Sequence, residues 1–144
     1  MAKRVVIVAG LAMAFVAGFA LRGLVPGEPV AYAQAPRVFE LRTYTVSDPT
    51  KLEPLHKRFR EQTLTKFFPR HGMQSVWYGR PMDAPLSQNT MVYMIAFPNR
   101  DAAKKSWDAF RADAEWTKVA AESGVGQVKI DSVYLEPTDY SPLK

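Results

Sequence analysis

The chain has 144 residues, 47 % of them hydrophobic and 23 % charged, with a net charge of +5, two histidines and no cysteine. That length allows one domain and something extra, and the missing cysteine excludes disulfides and lipid attachment through a thiol. Lys57, Arg58 and Arg60 sit beside Glu53 and Glu61, and Lys104 and Lys105 lie between Asp101 and Asp108. Such mixed signs mark a solvated helix face and argue against nucleic acid as a partner.

At the N-terminus Lys3 and Arg4 precede an uncharged run, Val5 to Leu21, which Arg22 closes. Pro26, Gly27 and Pro29 then break any helix, and Ala31-Tyr32-Ala33-Gln34-Ala35 offers two overlapping A-x-A sites. This order of basic, apolar, breaker and small residues is that of a translocation signal. It predicts residues 1–35 as a signal peptide cut after Ala35, or after Ala33, and a secreted or periplasmic product. The alternative is an uncleaved anchor that keeps the domain on the exported side, the one case in which a membrane is a partner. Seventeen residues diluted by alanine and glycine are at the short limit for a span. Cleavage after Ala35 leaves Pro36 to Lys144 with a net charge of about +3.

The domain covers residues 36–140, followed by a short tail, 141–144. Arg37 to Val46 alternates β-branched and aromatic residues and stops at Ser47-Asp48-Pro49, a strand and a turn. Thr50 and Glu53 have capping-box spacing, and Leu52, Leu55, Phe59 and Thr63 recur at helical intervals up to Phe68, before Pro69. Gly72 supplies a turn. Met73 to Arg80 reads as a second strand, Pro81 to Gln88 as a loop, and Asn89 to Phe97 as the strongest strand. Asn99 is a natural N-cap for a helix carrying Ala103, Trp107 and Phe110. A short helix over Glu115 to Ser123 and a strand over Lys129 to Glu136 complete the chain.

The order β-α-β-β-α-β predicts an α+β fold, a ferredoxin-like antiparallel sheet with both helices on one face. The third strand is apolar on both sides, Val92, Met94 and Ala96 alternating with Met91, Tyr93, Ile95 and Phe97. A sheet covered on one side alternates apolar and polar residues, so a second apolar face calls for a partner. The expectation is a homodimer whose sheets pack face to face, broken by Tyr93→Lys or Ile95→Lys according to the face each occupies.

Phe39-Glu40-Leu41-Arg42-Thr43-Tyr44, His71-Gly72 with Trp77, Asn89, and Asn99-Arg100-Asp101-Ala102-Ala103 running to Trp107, Phe110-Arg111-Ala112-Asp113 and Trp116 resemble the NIPSNAP family. Where the family often has proline before the Glu-Trp pair, this chain has Ala114. The resemblance implies a ferredoxin-like subunit of a dimeric α+β barrel, with fold and assembly rather than a reaction attached to the name. Dimeric α+β barrels also include quinol-oxidising and haem-degrading enzymes, which implies the alternative of a cofactor-independent monooxygenase acting on a small aromatic or apolar substrate.

No G-x-S-x-G elbow or glycine-rich phosphate loop occurs, and two histidines without ligand spacing give no metal site and no cofactor. The leading reading is a binding module for a small apolar or aromatic ligand or a protein. Arg42 and Tyr44 share one face of the first strand with Glu40 and could line a polar pocket or a dimer seam. His71 sits at a helix exit, where it can satisfy the last carbonyls or bind a ligand. His56 reads as a boundary histidine. Trp77, Trp107, Phe110 and Trp116 could wall a cavity or fill the core, and the candidate pocket is Arg42, Tyr44, His71, Trp77, Tyr93 and Trp107.

Overall fold

A computed structural model describes residues 37–144; the predicted signal segment and its cleavage sites lie outside the described residues. The elements are β1 (Val38–Val46), a helical rod α1 that starts at Leu52, β2 (Gln74–Gly79), β3 (Thr90–Phe97), α2 (Arg100–Ala112), α3 (Ala114–Glu122) and β4 (Val128–Leu135). The strands form one antiparallel sheet in the order β2-β3-β1-β4.

This order corrects the barrel. The ferredoxin-like sheet and its flanking helices are present, but β2 and β4 are outer strands, each paired on one side only, and the sheet is open. A closed barrel leaves no strand edge free, and this sheet ends in two, one at β2 and one at β4.

Register assigns every side chain to a face. Glu40 pairs with Ile95 and Tyr134, Arg42 with Tyr93 and Ser132, and Tyr44 with Met91 and Ile130, so these residues share the helix side. Met91, Tyr93, Ile95 and Phe97 are all buried there. Tyr93 and Ile95 therefore belong to the core, and the variants that probe the other face lie elsewhere. That other face carries Leu41, Val92 and Met94 in the middle strands, with Trp77 and Val133 toward the edges. One corner of it is covered: Arg37 lies over the Phe39 ring and donates to the Gln74 side chain and to the Lys144 carbonyl.

The rod α1 has three registers: α-helical Leu52–Arg58, π-helical Phe59–Phe67 and a last α-turn Phe68–Arg70. Four of its buried residues, Leu55, Phe59, Thr63 and Phe67, are spaced by four. In an α-helix of 3.6 residues per turn each such step overshoots the face by about 40°. The wider π turn keeps all four over the sheet, and Thr63 Oγ1 helps by donating to the Arg58 carbonyl at 3.3 Å. Past Pro69 the rod ends at Gly72, whose φ of +69° suits a residue without Cβ, and Met73 N–H closes back to the Phe68 carbonyl at 2.9 Å.

The expected Thr50–Glu53 capping box does not form. Asp48 instead accepts from Thr50 N–H and Oγ1, at 2.9 and 2.7 Å, while Glu53 pairs with Arg60. Asn99 caps α2 as expected, accepting from Ala102 N–H at 2.8 Å.

Candidate functional site

Glu40 organises one side of the sheet. Its carboxylate is buried and accepts three bonds: from Trp107 Nε1 of α2 at 2.5 Å, from Ser132 Oγ of β4 at 2.5 Å and from Arg42 Nη1 at 3.0 Å. The Arg42 guanidinium also lies 4.0 Å over the Trp107 ring. Burial opposes its charge, but its neighbours, among them the Glu40 carboxylate that it donates to, outweigh that and keep the guanidinium charged. Three donors satisfy a buried carboxylate, so this constellation is a clamp between sheet and helix. Beside it Arg42 and Trp107 line an open cleft of about 460 Å³ with Arg100, Lys104, Arg111 and Tyr134.

Tyr44 and Tyr93 belong to the core. Both are buried among Phe59, Phe68 and each other, with ring centroids 5.2 to 6.0 Å apart in edge-on or tilted packing. Burial pushes the Tyr93 hydroxyl well above its ordinary pKa, with Tyr44 adding to the effect, so it can donate a hydrogen bond but cannot serve as a base at neutral pH.

His71 lies apart from them. Its Nε2 donates to Asp113 Oδ2 at 2.9 Å, and Asp113 Oδ1 accepts from the backbone N–H groups of Glu115 and Trp116 that open α3. Arg70 reaches the same carboxylate at 3.0 Å. His71 thus ties the end of α1 to the start of α3. Trp77 is on the opposite side of the sheet altogether. A bulge between Ser75 and Trp77 sets Trp77 against Met94 and returns Tyr78 to the helix side against Tyr93. The indole lies over Gly79, within 2.4 Å of where a Cβ would stand, and is 52 % exposed. The six candidate residues therefore occupy a clamp, a core, a helix junction and an outer face.

A pocket of about 220 Å³ opens elsewhere, between α1 and the β2–β3 edge of the sheet. Phe59 and Leu64 of the π-helical stretch, Tyr78 and Met91 form apolar walls, and His56, Arg60 and Arg80 reach it from the helix and the end of β2. His56 Nε2 is buried there without a hydrogen-bond partner among the described residues. Burial holds its pKa below the ordinary imidazole value; Glu53 opposes this, and Arg60 and Arg80 reinforce it. The ring is therefore neutral at pH 7, with one donor and one acceptor nitrogen. The sequence reading took His56 as a boundary histidine and Arg60 as part of a solvated helix face, yet a signal for the pocket existed: His56, Arg60 and Leu64 are spaced by four, in a second stripe beside Leu55, Phe59 and Thr63.

Among the described residues no group of His, Asp and Glu could hold a metal ion, and no helix is long and apolar enough to cross a membrane.

The NIPSNAP family profile matches residues 39–142. No curated protein matches the chain. Among solved structures it is similar to a NIPSNAP family protein from Agrobacterium tumefaciens strain C58, 24 % identical over 75 % of this chain and 99 % of that one, with a TM-score of 0.63. It is also similar to a second NIPSNAP family protein of unknown function from that strain, 19 % identical over 76 % and 96 %, TM-score 0.65. A third likeness is to a dimeric ferredoxin-like protein from an uncultured marine organism, 9 % identical over 74 % and 99 %, TM-score 0.52. At these identities the likenesses establish the fold.

Proposed function

The chain belongs to the NIPSNAP family, and on that premise we propose that it is an exported homodimeric module that binds a small ligand with an apolar body. The observation that carries the ligand reading is the pocket on the π-helical stretch, whose walls are mostly apolar and where His56 Nε2 is buried with no partner among the described residues. A buried nitrogen left unpaired costs free energy that a ligand hydrogen bond recovers.

Dimerisation is supported by the face opposite the helices, where Trp77, Val133 and Leu135 are 52, 50 and 38 % exposed around Leu41, Val92 and Met94. Two such faces in contact would remove that apolar surface from water. The marine ferredoxin-like protein of the same fold is dimeric. Export rests on the basic, apolar and small-residue order of residues 1–35, and the intact mass of protein recovered from an exporting host tests it.

The ligand reading is tested by a thermal-shift screen of small alcohols and acids with apolar tails, on the wild type and on Leu64→Trp. Leu64 is half-buried on the pocket wall, and a tryptophan there fills the space. Ligands should raise the wild-type midpoint and leave the variant unmoved. A wild-type midpoint that no compound raises would sink the reading.

A further inference from the structure

We infer that the pocket on α1 selects a compact monocarboxylate, its apolar body between Phe59, Leu64 and Met91 and its carboxylate at the mouth between Arg80 and His56. This inference rests on the ligand reading above and names the chemistry of the same site.

Size comes first. At about 220 Å³ the pocket is smaller than the ~300–1,000 Å³ of drug-sized sites, so a long chain or a fused-ring ligand does not fit. One aromatic ring or a short alkyl chain does. Tyr78 stacks on Tyr93 with ring planes 16° apart and centroids 5.7 Å apart, which fixes the wall on the sheet side.

Charge comes second. Three charged side chains act on His56, namely Glu53, Arg60 and Arg80, and the two arginines line the pocket. Glu53 and Arg60 are paired with each other. Arg80, one residue past the end of β2, makes no ion pair among the described residues and is exposed. The mouth therefore carries one uncompensated guanidinium beside an apolar hole, and a guanidinium is the side chain best shaped for a carboxylate. Neutral His56 can donate to the same carboxylate from Nε2 in the tautomer that places its proton there. A ligand cation would meet Arg80 and Arg60 unfavourably, and a neutral ligand would leave Arg80 without a partner.

The test uses the two histidines as reporters, since the chain has no others. His71→Gln assigns the ring signals in an NMR spectrum. Benzoate and hexanoate are titrated in parallel with benzyl alcohol and hexanol, on the wild type and on Arg80→Gln. The acids should shift the His56 signal with saturation, leave His71 unmoved, and bind at least about tenfold more tightly than the alcohols. Arg80→Gln should remove most of that preference while the alcohols bind as before. If acids and alcohols bind equally, or Arg80→Gln leaves the ratio unchanged, the carboxylate assignment is overturned while the pocket stands. If no compound moves His56, the ligand reading falls with it.

Discussion

Trp107 and Glu40, 67 residues apart in sequence, are joined by a 2.5 Å hydrogen bond from the indole N–H to a buried carboxylate. The bond fixes α2 onto β1, and Arg42 and Ser132 share the same carboxylate. Trp107→Phe keeps most of the ring and removes the donor, so it should cost about 2 kcal/mol, in the range for hydrogen bonds to charged groups. Trp107→Ala also loses the packing and should cost about 3–5 kcal/mol. Urea unfolding with unchanged m-values checks both, and a Phe variant as stable as the wild type would show that Glu40 is satisfied without the indole.

Asp113 gives the fold an acid-sensitive joint. Burial disfavours its charge, but hydrogen bonds from His71, from Arg70 and from the backbone of Trp116 and Glu115 outweigh that and hold its carboxyl below the ordinary value of 3.8. A carboxyl depressed in the folded state stabilises fully above its unfolded pKa and loses that contribution as pH falls through the folded one. Thermal midpoints of wild type and Asp113→Asn should therefore differ by a constant amount near neutrality and converge as pH drops below about 4. A gap that stays constant down to pH 3 would remove Asp113 from this role.

The proposed dimer makes a face-specific prediction. Met94→Lys and Val133→Lys place a charge on the sheet face away from the helices and should yield folded monomers. Tyr93→Lys and Ile95→Lys place it in the core and should unfold the domain. Light scattering and circular dichroism separate the outcomes, and a wild type that is monomeric at micromolar concentration would end the dimer reading.

Gly79→Ala should be mild. In the monomeric Val133→Lys background the new Cβ would overlap the Trp77 indole, but that ring is there half exposed and can swing outward, and Gly79 does not have the positive φ that penalises a side chain. The expected result is a stability change within about 1 kcal/mol and a red shift in Trp77 fluorescence. An unfolded Gly79→Ala protein would mean that the indole is held in place.

The sequence by itself determined the order of elements, because strand alternation, helical spacing, Asn99 at a helix start and prolines near element ends are local signals that neighbouring residues suffice to set. It also determined that β3 is apolar on both sides. Which residues meet across the fold was decided by tertiary structure. Glu40 shows no sign in β1 of the Ser132 and Trp107 donors that the β1–β4 register and the docking of α2 bring to it. Trp77 is the sharpest case. Side-chain direction in a strand has period two, so one extra residue in the bulge before it reverses the face. Without the bulge, parity would put Trp77 opposite Tyr93 on the helix side; with it, Tyr78 takes that place and Trp77 faces outward. The π-helical widening of α1 acts in the same way on His56, Arg60 and Leu64, carrying a polar stripe of the helix to the edge of the sheet. Both distortions insert a fraction of a period into a regular element, and the local sequence fixes the period but not the defect.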